Sequence, residues 1–212
     1  MSVTIDASGV QDLDLYFERF PVVTREAMRI ALNGTARGPA MRAARRDITA
    51  EVNFPEGYLD QPDRLWVSKF ATTTDLTATI SGRGRATSLA RFAAPGTPVT
   101  AGGPPKGSPG VSVVVKPGRV RSFKSGFLWR FPGGNVGFAI RLRPGDTVRS
   151  VERFTPYQVK RPDGKPSGLF ILYGPSVDQV FGFVAEQIMP EVTSALEAEF
   201  DRQFARLSGA AP

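Results

Sequence analysis

Side chains that commonly carry chemistry are sparse in these 212 residues and poorly spaced for it. The chain has no Cys and no His, which removes thiolate and imidazole nucleophiles and bases, disulfides, thiolate zinc sites and most transition-metal sites. Carboxylates, serines and basic residues remain. The carboxylates ahead of the last helical stretch run from Asp6 to Asp163, and none is paired with a second at a metal-binding spacing on an expected strand end. Asp12 and Asp14 fall on a polar helical face, and Asp60 and Asp63 fall in a turn. Ser68-Lys69 and Ser122-x-Lys124 are neighbours in sequence rather than groups converging from separate elements. No serine has the G-x-S-x-G surroundings of a nucleophile elbow. Gly82-x-Gly84 lacks both the third glycine of a dinucleotide loop and the Gly-Lys-Ser/Thr ending of a phosphate loop. The chain is therefore not expected to be an enzyme or to hold a metal or cofactor, although a Ser–Lys dyad assembled by folding stays open.

Charge is the stronger signal. The formal net charge is +7, unevenly spread. From Gly82 to Arg161 there are fifteen Lys/Arg against two acids, Asp146 and Glu152. The C-terminal stretch runs the other way, with Asp178, Glu186, Glu191, Glu197, Glu199 and Asp201 against Arg202 and Arg206. A basic middle and an acidic end suit a polyanion, or a second copy of the chain. Arg37, Arg42, Arg45 and Arg46 read first as a solvated helical face and second as phosphate contacts; no helix-turn-helix, zinc finger or RNA-recognition signature accompanies them.

The elements that must carry these groups follow from periodicity. The chain is organised around its C-terminal run, Leu169 to Leu207. Leu169–Tyr173 reads as a strand, Gly174-Pro175 as a turn, and Ser176 with Gln179 as a capping box opening a long helix. Apolar residues then recur at 177, 180, 181, 184, 188, 192, 196, 200, 204 and 207, one stripe at helical spacing. Pro190 is expected to kink or split that helix. The stripe reads as core, or as core that also serves another subunit; Phe181, Val184, Ile188, Glu197, Phe200 and Phe204 are the subunit-interface candidates.

Ahead of it, residues 3–20 read as a strand and a short helix carrying Val10, Leu13, Phe17 and Phe20. Thr24 is expected to cap a second helix that Gly34 and Gly38-Pro39 interrupt. The helical pattern resumes through Met41, Ala44 and Ile48. Past Asn53–Gly57 the period becomes two: Leu65–Phe70 and then Leu76, Ala78 and Ile80 read as strands. Val111–Lys116, Phe123–Phe131 and Val136–Arg143, separated by Pro/Gly turns, are expected to form one antiparallel meander. In its last strand Val136, Phe138, Ile140 and Leu142 take one face, and Arg141 and Arg143 the other. Lys116, Arg119, Arg121, Lys124, Arg130, Arg141 and Arg143 would make a basic outer face, which can equally be a solubility device. The Pro/Gly-rich 94–110 stretch is expected as a flexible loop or arm, and 144–168 as a long irregular loop with one strand near Tyr157–Lys160. The class is α+β: an antiparallel or mixed sheet packed against N-terminal helices and one long C-terminal helix, in one domain spanning 1–212. No stretch approaches a transmembrane helix and no signal peptide is visible.

Several of these pieces, in this order, resemble the minor tail protein Z, or tail completion, family of long-tailed bacteriophages and prophages. Ala31–Ala36 followed by Arg42–Arg46 is similar to the family's early helix. Leu76–Ile80 with Leu89 and Phe92 is similar to its L-x-A-x-I segment. Gly110–Val115 with Ser125-Gly126-Phe127 is similar to its central strand. Phe138–Arg141 is similar to its F-x-x-R, and Leu172–Val177 with Phe181 to its G-P-S-V element. The resemblance implies a structural virion protein without catalytic residues, made in the host bacterial cytoplasm. It would complete the tail at its head-proximal end, beside tail-tube, terminator, neck or connector proteins. Such proteins commonly ring the DNA path, a hexamer being favoured here. DNA would then pass non-specifically, with no membrane involved. Arg83, Arg85, Lys116, Arg119, Arg121, Lys124, Arg141 and Arg143 are the DNA-facing candidates on that reading. The alternative from another class is a stand-alone basic, non-specific nucleic-acid-binding protein; a virion-associated hydrolase is the third.

Overall fold

Fifteen helices and strands follow one another in the structure, a computed structural model that describes residues 2–8, 10–101, 110–142, 156–160 and 166–209. They are β1 (Ser2–Asp6), α1 (Leu13–Arg19), α2 (Pro21–Arg37), α3 (Pro39–Glu51), β2 (Leu65–Lys69), β3 (Thr77–Gly82), β4 (Thr87–Ser88) and β5 (Val99–Thr100). Then come β6 (Val111–Lys116), β7 (Arg119–Phe123), β8 (Gly126–Arg130), β9 (Val136–Arg141), β10 (Pro156–Lys160), β11 (Pro166–Gly174) and α4 (Val177–Ser208). The class is α+β, with mixed sheets, N-terminal helices and a long C-terminal helix. The chain divides into two compact units made of discontinuous segments. One comprises Met1–Thr49, Leu59–Gly84 and Val177–Pro212, and the other Ala50–Tyr58 and Arg85–Ser176.

The first unit is built on α4. Its apolar stripe buries Val177, Val180, Phe181, Val184, Ile188, Val192, Leu196 and Phe200, at the three- and four-residue spacing that puts them on one side of a helix. The helix begins directly after the buried Ser176, as the capping pattern indicates. It is not split at Pro190, which lies inside it. Pro190 and Glu186 are both exposed, so the missing backbone bond falls on the solvent side of the helix, where its loss costs least.

α2 is the main partner of α4. It starts three residues earlier than the Thr24 cap expected from sequence, because Pro21 at the first helical position supplies a helical φ where no N–H is needed. Thr24 is instead buried inside the helix, its hydroxyl 2.8 Å from the Phe20 carbonyl and 2.9 Å from that of Tyr16. Gly34 does not interrupt α2; the break comes at Gly38, after which Pro39 opens α3. The small sheet, ordered β1-β3-β2 and antiparallel throughout, places Val3 opposite Ile80 and Ile5 opposite Ala78. Ala78, Ile80 and Gly82 are buried while Thr77, Thr79 and Ser81 alternate with them, the period-two pattern of a half-buried strand.

The second unit holds a six-stranded sheet ordered β10-β11-β9-β8-β5, with β4 pairing β11. All its ladders are antiparallel except β5 on β8. The expected meander is corrected here. Its middle strand is two strands, broken at Lys124-Ser125, and β6–β7 is a separate two-stranded hairpin. Gly126, the first residue of β8, is closely enclosed: a Cβ on it would lie 2.8 Å from Phe138 Cζ and 2.9 Å from Phe123 Cβ. Nor does β9 divide into an apolar and a basic face. Gly137, Phe138, Ala139 and Ile140 are all buried, as in a central strand covered on both sides. Phe138 meets Phe123 edge-on at 5.1 Å, while Ala139 packs with Phe127, Leu169 and Ile171 on the other face. Of the 94–110 stretch, Val99–Thr100 is tied to its own sheet: the Thr100 hydroxyl donates to the Leu128 carbonyl at 3.2 Å and the Trp129 indole N–H to that of Ala101 at 3.1 Å. Residues 102–109, and 143–155 with 161–165 of the expected long loop, lie outside the described residues. Tyr157–Lys160 falls on β10.

Two glycines separate close packing from mere helix weakening. A Cβ at Gly34 would make ordinary contact with Glu199 Oε1 at 3.6 Å, whereas one at Gly82 would sit 2.9 Å from the Asp178 backbone. Gly34→Ala is expected to stabilise the protein by about 0.5–1 kcal/mol, and Gly82→Ala to destabilise it by roughly 1–3 kcal/mol. Urea denaturation of the two variants checks both signs.

Candidate functional site

The basic residues singled out from sequence fall in different places. Lys116, Arg119, Arg121 and Lys124 come together on the β6–β7 hairpin. Its turn, Pro117-Gly118, needs a left-handed residue at its second position, and Gly118 has φ 71°. The register sets Lys116 opposite Arg119 and Val113 opposite Arg121. Arg119 and Arg121 therefore share one side of β7. All four are exposed. Lys116 reaches Glu51 only at 3.9 Å, and the Arg121 guanidinium lies 5.8 Å from the Phe123 ring centroid. The hairpin thus presents several exposed positive charges, and a surface of that kind can hold phosphates without reading sequence.

Arg141 is exposed at the end of β9, opposite Leu169, in the large sheet rather than on the hairpin. Arg83 follows β3 in the first unit, its backbone N–H donating to the Arg64 carbonyl at 2.9 Å, and Arg85 opens the longer segment of the second unit. Arg143 lies outside the described residues. Among those residues no group of three or more acidic side chains could hold a metal ion, and no helix is long and apolar enough to cross a membrane.

The interface candidates on α4 are largely used up inside the chain. Phe181, Val184, Ile188 and Phe200 are at most 2% exposed, so they pack the protein's own core and present nothing to another subunit. Phe200 and Phe204 pack edge-on against Tyr16, at 5.5 and 4.7 Å. Phe204 also meets Phe20 at 5.8 Å and, like Glu197, remains partly accessible. The accessible apolar group the stripe did not point to is Phe183, 63% exposed.

A second feature escaped the sequence reading. A cleft of about 490 Å³ is lined by Arg29, Ile30, Asn33, Arg37, Phe70 and Ala71. Arg29, Asn33 and Arg37 recur every four residues and so share one face of α2; that spacing was the available signal. Asn33 clamps the segment that follows β2, donating to the Ala71 carbonyl at 3.0 Å and accepting its N–H at 2.8 Å. Next to it stands the Phe70 ring, over which the Arg37 guanidinium lies at 4.3 Å from the centroid. Arg29 is engaged by Glu26 through two hydrogen bonds, of 2.8 and 2.6 Å, which hold the Glu26 carboxyl below the usual glutamate range. Glu199 is likewise held low, by two hydrogen bonds from Arg202 and a third from Gln203. Arg37 has no carboxylate partner among the described residues.

Replacing Arg119, Arg121 and Lys124 together by Gln is expected to weaken binding to duplex DNA. The log–log salt slope should become shallower by about 0.9 for each phosphate contact removed. Fluorescence anisotropy over a salt series measures it; an unchanged slope would exclude the hairpin as a phosphate-binding surface.

Comparison with protein-family models, curated proteins and solved structures returns no match.

Proposed function

We propose that the chain is a structural protein of a tailed phage or prophage virion. It completes the tail at its head-proximal end and supports head–tail joining as a ring of identical copies around the DNA path. The observation that carries this reading is the order of elements: N-terminal helices, strands, then the Gly174-Pro175-Ser176 turn into a 32-residue terminal helix. That order accompanies the ordered resemblance to the tail completion family. Surface chemistry supports it. The C-terminal helix is acidic and the chain as a whole basic, a charge segregation that favours association of unlike surfaces on neighbouring copies. A hairpin with exposed cations suits DNA in transit, held through phosphates alone. Copies of itself and the adjoining tail-tube, terminator, neck or connector proteins are the partners, and the protein acts without catalysis or cofactor.

The same hairpin favours the second reading, a stand-alone non-specific nucleic-acid-binding protein. Native mass across a concentration series separates the two. A discrete closed oligomer, six copies being expected, supports the ring. A strict monomer that binds DNA tightly, with a steep salt dependence, supports the alternative.

A further inference from the structure

The first unit carries two incomplete surfaces whose chemistry is complementary. One is the cleft on α2, where Phe70 is 40% exposed and its ring is backed by the Arg37 guanidinium. Asn33 holds the Ala71 backbone in place, so the cleft is set before anything enters it, and preorganised sites lose less ordering entropy on binding. The other is on α4. Phe183 is 63% exposed, and Glu186 stands three residues on, hence on the same helix face. Glu186 is exposed and has no cationic partner among the described residues. Each surface holds half of an aromatic contact and half of an ion pair.

One copy cannot join its own halves. Gly34, beside the cleft, lies against Glu199 of α4. Phe183 is sixteen residues away on the same unbroken helix, about 24 Å at 1.5 Å per residue. We propose that the Phe183–Glu186 pair of one copy docks in the Arg37–Phe70 cleft of the next, phenyl ring on the apolar floor and carboxylate on the guanidinium. The inference rests on the self-assembly part of the proposed function and names its contact. Because the two surfaces are unlike, the contact is head-to-tail, and it closes into a ring when the rotation between copies divides the circle. Arg29 is tied to Glu26 and plays the lesser part; Arg37 is the specificity-determining cation.

The test is a charge-swap complementation followed by sedimentation velocity. Arg37→Glu sets like charges against each other at every contact, and so does Glu186→Arg. Each variant alone should need about tenfold or more higher concentration to assemble. An equimolar mixture should recover wild-type assembly, because each contact in an alternating ring then pairs opposite charges. Both positions are exposed, and circular dichroism checks that the variants fold. Wild-type-like assembly of either variant alone, or a mixture that fails to recover, overturns the proposed contact while leaving self-assembly standing. The absence of cysteine allows a second measurement for a weak contact. An Arg37→Cys/Phe183→Cys variant oxidised at high concentration should give a ladder beyond dimer, whereas each single cysteine variant stops at dimer. A monomeric wild type together with no ladder overturns both this contact and the self-assembly reading.

Discussion

The structure depends on one packing constraint: α4 must bury a single apolar stripe along its length. Eight aliphatic and aromatic residues of that stripe are buried, and full burial of such side chains contributes about 1.5–3 kcal/mol each. A helix this long is not secured by its own backbone bonds in water; tertiary packing of its apolar face secures it. Here α2, β1 and β3 supply the opposing surface. Gly82 reveals how close that approach is, since it lies under the backbone of Asp178 with no room for a side chain. At the far end Tyr16 from α1 closes on Phe200 and Phe204.

The constraint also decides what the protein offers to others. A stripe consumed in the core is closed to another subunit, so the proposed contact falls to the outward face of α4, where Phe183 and Glu186 are exposed. The same reasoning moves attention in the second unit from β9, which is covered on both sides, to the hairpin that stands outside the large sheet. Its turn and register gather cations that the sequence distributes over nine residues. Charge repulsion among them is unfavourable at short range and eases when a polyanion is bound.

Legibility in the sequence tracked how local the deciding physics was. The strand at Leu169–Tyr173, the turn, the cap position at Ser176 and the helix after it are set by neighbours in sequence, and periodicity alone locates them. So is the alternation through Ala78 and Ile80. The Thr24 cap went astray because Pro21 can open a helix as well as close one, and nothing nearby decides between them. Gly34 reads as a breaker by propensity, yet tertiary packing of α2 on α4 keeps it helical. The merged strand across Lys124-Ser125 failed for a long-range reason: Phe123 pairs with Val111 in the hairpin, whereas Gly126 pairs with Ile140 in the large sheet. The cleft was hidden for the same cause. Arg37 and Phe70 are 33 residues apart, and they meet where Asn33 pairs with Ala71.

The central claim is a ring of identical copies with a passage for DNA, and direct imaging addresses it most simply. Negative-stain electron microscopy of the assembled protein should show annular particles, six-fold in class averages, with a central opening wide enough for a duplex. Particles without an opening, or open filaments that never close, would contradict it.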